Sequence, residues 1–199
     1  MRENYGSSCR MQIIKHRVNS LQELQNLDTK FGVEIDIRTR GDRIILSHDP
    51  FTEGPELEDF LDLYQHGVLI LNVKEDGLES EILEHEAFSR IEYFFLDQPF
   101  PTLRKSILQS FSSAMRTSEF ENLPSVNLIP SWLWIDNFTG DWSDLPRQIA
   151  FCQERGIKSC LVSPELQSRS VGEIGEIQRF GLDELDAVCT KFPERWLIG

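Results

Sequence analysis

Residues 32–50 read Gly32-Val33-Glu34-Ile35-Asp36-Ile37-Arg38-Thr39-Arg40-Gly41-Asp42-Arg43-Ile44-Ile45-Leu46-Ser47-His48-Asp49-Pro50. From Val33 to Arg38 apolar and polar residues alternate strictly, the two-residue period of a strand with unlike faces. Thr39 to Asp42 is a turn signal, and Arg43 to Ser47 returns as a second strand. The tripeptide Arg40-Gly41-Asp42 is read as that turn and not as an adhesion motif. Glu34 and Asp36 share one face of their strand, about 6.6 Å apart along it. Two carboxylates on one inward face repel unless a proton or cation joins them, and hard oxygen donors suit Mg²⁺ or Ca²⁺. Taken alone, the spacing reads more plainly as a solvated, outward pair.

Working outward, short β-rich runs alternate with amphipathic stretches. The remaining expected strands are Gln12–His16, Gly67–Lys74, Glu92–Leu96, Ser112–Arg116, Trp132–Asn137, Lys158–Ser163 and Ala187–Lys191. A helix opens at the capping box Ser20-Leu21-Gln22-Glu23, and others are expected over 78–88, 102–109 and 144–154. Ser118 to Glu121 repeats the box spacing, and Ser170 to Glu173 opens a helix reaching Phe180. About eight strands that lead into helices or loops predict a compact TIM-type (β/α)8 barrel, one domain over residues 1–199. Such barrels begin near 200 residues, so several helices must be short or missing. An open doubly wound sheet is the alternative, but no Gly-rich fingerprint follows the first strand.

The chain has 20 Lys+Arg against 33 Asp+Glu, a net charge of −13. That surface repels a phosphate backbone and argues against nucleic acid as a partner, while leaving room for one small phosphorylated ligand. Unbroken apolar runs such as Val68–Leu71 are far too short to span a membrane. Residues 1–12 are polar and charged, without the apolar stretch of a secretory signal. Cys9, Cys152, Cys160 and Cys189 form no metal-ligand or CxxC spacing. A cytoplasmic location with free thiols is expected, and the sequon at Asn137 is then a coincidence. Nothing points to an obligate protein partner.

In a barrel the reactive groups stand at the C-terminal ends of strands. Those ends carry His16-Arg17, Glu34 and Asp36, His48-Asp49, Asn72 and Lys74, Asp97, Arg116, Asp136 and Glu165. The runs IIKHR, GVEIDIRTRGDRIILSHDP and LILNVK, within residues 12–74, resemble the glycerophosphodiester phosphodiesterase family and the wider phospholipase C-like barrels. The resemblance implies an eight-stranded barrel and a phosphoric diester hydrolase acting on a small diester. It implies His16 and His48 as general acid and base, and Glu34 and Asp36 as ligands of a divalent cation. Arg17 and Lys74 would contact the phosphate.

The chain departs from the family at two points. Val18 follows Arg17 where the family usually has Gly, and Asn72 stands where the family has a third carboxylate. Asn72 keeps an oxygen donor for the cation but removes one charge, which Glu165 could supply from another strand end. Arg116 is a further candidate for the phosphate, because a guanidinium fork matches its oxygens. These departures keep open a barrel that binds a phosphorylated sugar or lipid headgroup without turnover, and a lyase or isomerase of a phosphorylated compound. His66 and His85 read as surface or helix-end residues. Trp132, Trp134 and Trp142 read as packing, and Cys152 and Cys160 as small buried hydrophobes.

Overall fold

A computed structural model describes residues 11–125, 127–180 and 182–197. Cys9 and the rest of residues 1–10 lie outside it. Eight parallel strands form the barrel: β1 (Gln12–Lys15), β2 (Gly32–Arg40), β4 (Leu69–Val73), β5 (Tyr93–Leu96), β6 (Ala114–Thr117), β7 (Trp132–Ile135), β8 (Lys158–Val162) and β9 (Ala187–Thr190). Between β2 and β4, the antiparallel strand β3 (Arg43–Leu46) folds back on β2 through the turn at Gly41, whose φ of 66° suits glycine. The ring runs β5-β4-β2-β1-β9-β8-β7-β6. It closes through one bridge, Phe95 to Ser113, and the Phe95 amide donating to the Ser112 carbonyl at 2.9 Å.

Strand periodicity sorts the side chains. Ile14, Ile70, Phe94, Trp132, Trp134 and Cys160 fill the barrel interior, where Phe94 stacks on Trp132 with centroids 4.6 Å apart. Val33, Ile35 and Ile37 point outward into a cluster with Leu69 and Leu71. Leu133, Leu161 and Val188 do the same on the opposite side, with Trp142 and Trp196. The expectation that the tryptophans are packing residues holds.

The helical layer is thin. Helix α1 (Leu21–Asn26) is capped by Ser20, whose Oγ accepts from the Glu23 amide at 3.2 Å. Helices α4 (Phe100–Leu108) and α5 (Leu145–Arg155) match expectation in place, and Gly156 ends α5 in the left-handed region. Three readings need correction. The helix expected over 78–88 breaks into α3 (Glu79–Ile82) and a 3₁₀ turn capped by the His85 ring. The one from Ser170 to Phe180 is α6 (Ile174–Ile177) flanked by 3₁₀ turns. Ser118 and Glu121 pair as a tight turn, with no helix directly beyond it among the described residues. Helix α2 (Leu57–Leu63), which had no capping signal, buries Leu57, Phe60 and Leu61. Short helices let 199 residues close a barrel.

Asn137 of the sequon is buried, donating to the Asp141 carbonyl at 2.6 Å and accepting from the Gly140 amide, so its amide is not presented to solvent. No described helix is long and apolar enough to cross a membrane.

Candidate active site

The inward parity of β2 carries Glu34 and Asp36 into the barrel mouth, where they are 1% and 0% exposed. Parallel pairing sets Asp36 beside Asn72 of β4. The Asn72 amide donates to Glu34 Oε1 at 3.0 Å. At the end of β1, Arg17 adopts a φ of 57°, an uncommon conformation for a residue with a side chain. That turn aims the Arg17 amide at Glu34 Oε2, 2.7 Å away. Arg17 itself takes the left-handed conformation, so Val18 needs no glycine-like freedom and buries its side chain in the outer cluster.

His16 Nε2 stands 3.8 Å from Glu34 Oε2. Burial, reinforced by the Arg17 charge, pushes the His16 pKa down to about 4, so the imidazole is neutral near pH 7. Burial and then the Asp36 charge hold the Glu34 carboxyl well above the usual range. Asp36 is gripped by Asn19, which donates to Oδ2 at 2.8 Å and accepts from the Asp36 amide at 2.9 Å. Arg17 Nε lies 3.4 Å from Asp36 Oδ2, and Lys74 Nζ 3.1 Å from Oδ1. The lysine contact is an attraction between charges without the geometry of a hydrogen bond, and Oδ1 has no hydrogen-bond donor.

His16, Arg17, Glu34, Asn72 and Lys74 line one cavity of about 160 Å³, closed on the far side by Arg116, Trp134 and Asp136. Arg116 reaches it with its guanidinium committed, donating to Asp136 Oδ2 at 2.7 Å and to Asp97. Its expected role as a free phosphate fork is thereby corrected: two carboxylates already occupy it. Burial raises the Asp136 carboxyl despite Arg116, and Gln167 donates to Asp136 Oδ1 at 2.9 Å.

His48 does not join the group. It sits on the loop after β3 with its ring 41% exposed and Nδ1 2.8 Å from Asp49 Oδ1, outside the cavity lining. Glu165 is also elsewhere, accepting from Thr190 Oγ1 at 2.6 Å and from the Lys191 amide at 2.9 Å, so it supplies no third charge. Asn19 and Gln167 were missed in the sequence, because nothing local distinguishes a loop amide that grips a carboxylate of the neighbouring strand.

Among the described residues no three His, Cys, Asp or Glu side chains form a metal cage. The donor set is two carboxylates and one amide oxygen. Asp36 Oδ1 and Asn72 Oδ1 are both buried without hydrogen-bond partners. Arg17, Lys74 and Arg116 face four carboxylates, Glu34, Asp36, Asp97 and Asp136, so the mouth is a poor host for a phosphate unless a further cation joins it. Oxygen donors of this kind fit a hard divalent cation.

No family model matches the chain, and no curated protein matches it in sequence. Its fold is similar to the crystal structure of a glycerophosphodiester phosphodiesterase from Parabacteroides distasonis. The likeness covers 92% of this chain and 94% of that one, with a TM-score of 0.64 and 15% sequence identity. At that identity the likeness shows the fold, and the expected barrel architecture is borne out.

Proposed function

We propose that the chain hydrolyses a small phosphoric diester of the glycerophosphodiester type, assisted by Mg²⁺ or Ca²⁺. The observation that supports this most is convergence: side chains from β1, β2 and the end of β4 meet in one cavity at the C-terminal mouth. Hydrolysis forms one P–O bond from the attacking water and breaks the ester P–O bond, while one proton leaves the attacking oxygen and another reaches the leaving oxygen. His16, in the cavity with a free ring nitrogen, accepts the first proton. His48, on the exposed loop after β3, would return a proton to the departing alcohol only once that loop brings it to the cavity. Lys74 and Arg17 hold the phosphoryl oxygens. Glu34, Asp36 and Asn72 would hold the cation, which when bound offsets the charge growing on those oxygens.

The place of His48 on an exposed loop, outside the cavity lining, favours a second reading, a barrel that binds a phosphorylated sugar or lipid headgroup without cleaving it. Metal-stripped protein given simple glycerophosphodiesters with Mg²⁺, Ca²⁺ or Mn²⁺ separates the two. Phosphomonoester released only with added cation is the expected result. Binding without release supports the second reading, and neither binding nor release overturns both. Under either reading the partner is a small molecule, and the acidic surface disfavours nucleic acid. With Cys152, Cys160 and Cys189 free and buried, a reducing cytoplasm suits the chain.

A further inference from the structure

The barrel is weakest where it closes. β5 and β6 meet at the Phe95–Ser113 bridge, and toward the mouth the two strands part around a cleft of about 390 Å³. Its apolar walls are Leu96, Phe100, Leu103, Ala114 and Met115, and Asp97, Gln98, Arg116 and Glu121 complete the lining. Leu96, Asp97 and Arg116 line both this cleft and the phosphate cavity, so the two are neighbours across one salt bridge. The phosphate cavity, about 160 Å³, has little room for the substituents of a diester. One of them must lie outside it, and the seam cleft is the adjoining space, of a size ordinary for a ligand pocket.

The chemistry of the cleft selects what enters. Its polar lining includes Asp97 and Glu121, and its one cation, Arg116, is held by Asp97 and Asp136. A second anionic group would meet carboxylates without a free counter-charge. Phe100, the first residue of α4, is 61% exposed at the lip, a large apolar side chain with no partner among the described residues that would bury it. Leu103 lies buried one turn further along the same helix.

We propose that the β5–β6 seam is the subsite for one arm of the substrate, and that this arm is apolar, an alkyl or acyl chain on the diester. The inference rests on the phosphodiester reading of the neighbouring cavity. Phe100 and Met115 are its specificity-determining residues: they touch the chain and stand clear of the phosphate. Alkyl surface leaving water for these walls contributes affinity in proportion to the area covered.

The test compares two diesters of glycerol phosphate, one carrying an ethyl and one an octyl group, by calorimetric titration below the micellar concentration with Mg²⁺ present, in a His16→Ala background so that turnover does not consume the ligand. The octyl diester is expected to bind roughly tenfold or more tightly. Met115→Trp, which fills the cleft, should bring the ratio close to one without changing ethyl affinity. Phe100→Ser, at an exposed position that leaves the fold intact, should lower the ratio several-fold. Equal affinity for both diesters in the His16→Ala protein with its cleft unaltered overturns the subsite while leaving the phosphodiester reading standing. So does a preference that survives both substitutions, or tighter binding of a choline diester than of the octyl one. Failure to bind either diester overturns both readings.

Discussion

His16 is held neutral by burial and by Arg17, whereas His48 is open to water and paired with Asp49. The two histidines therefore differ in kind, although each follows a strand in the sequence. His16→Ala is expected to lower diester turnover roughly 10²–10⁴-fold, the usual worth of a positioned acid or base. His48→Ala should do the same if its loop delivers the leaving-group proton. Initial rates on one chromogenic diester check both, and full activity in His16→Ala would move the chemistry elsewhere. Asn72 is the other residue that decides the site. Asn72→Glu removes the amide that donates to Glu34 and sets a third carboxylate against two buried ones. Without cation the variant should melt below the unaltered protein, and added Mg²⁺ or Ca²⁺ should restore it by binding the folded state alone. Metal affinity should rise roughly tenfold or more if the new carboxylate becomes a ligand. Unchanged affinity in a folded variant removes Asn72 from the cation site.

The elements that carry the site are held by contacts between backbone segments. The loop that bears His48 returns along β3, where the Leu46 amide donates to the Pro55 carbonyl at 2.9 Å. Gly54 passes so close that an added Cβ would lie 2.0 Å from the Leu46 carbonyl oxygen. Gly54→Ala must push the loop off the strand, at a cost of about 1–3 kcal/mol, read as a lower urea midpoint with unchanged slope. Stability equal to the unaltered protein would show that the loop can step aside. Strands β1, β2 and β4 were all legible in the sequence, because alternation and apolar runs are local signals. Helix α2 was not: its N-cap, Glu56, makes no side-chain capping bond, and burial of Phe60 and Leu61 stabilises it instead. The helix expected over 78–88 failed for the opposite reason. Its apolar spacing was right, but the chain turns to bury Ile82 and Ala87 separately.

Across the whole molecule the barrel protects its interior. Cys160 and Cys189 face inward from β8 and β9, and Cys152 is on the buried face of α5, packed in the outer core. Burial pushes the Cys152 thiol up to about 12 and raises the other two thiols as well. A thiolate is the reactive form, so these three should resist a disulfide reagent at about pH 8 and react once the protein is unfolded. Mass mapping checks this, and rapid native labelling of Cys160 or Cys189 would show that the barrel opens, with the singly bridged β5–β6 seam as the place to look.

The sequence by itself determined the number and order of strands, the shared strand face of Glu34 and Asp36, and the set of polar residues at strand ends. Strand period and capping spacing are properties of neighbouring residues and need no fold to be read. Only the tertiary structure decided which of those residues meet. Register places Asn72 beside Asp36, and loop geometry turns Asn19 onto the same carboxylate while leaving His48 outside the cavity lining. Arg116 was legible as a strand-end cation, but that Asp97 and Asp136 occupy it depends on three adjacent strands. The cleft at the seam follows from how the last pair of strands closes the ring, and ring closure is a property of all eight strands together.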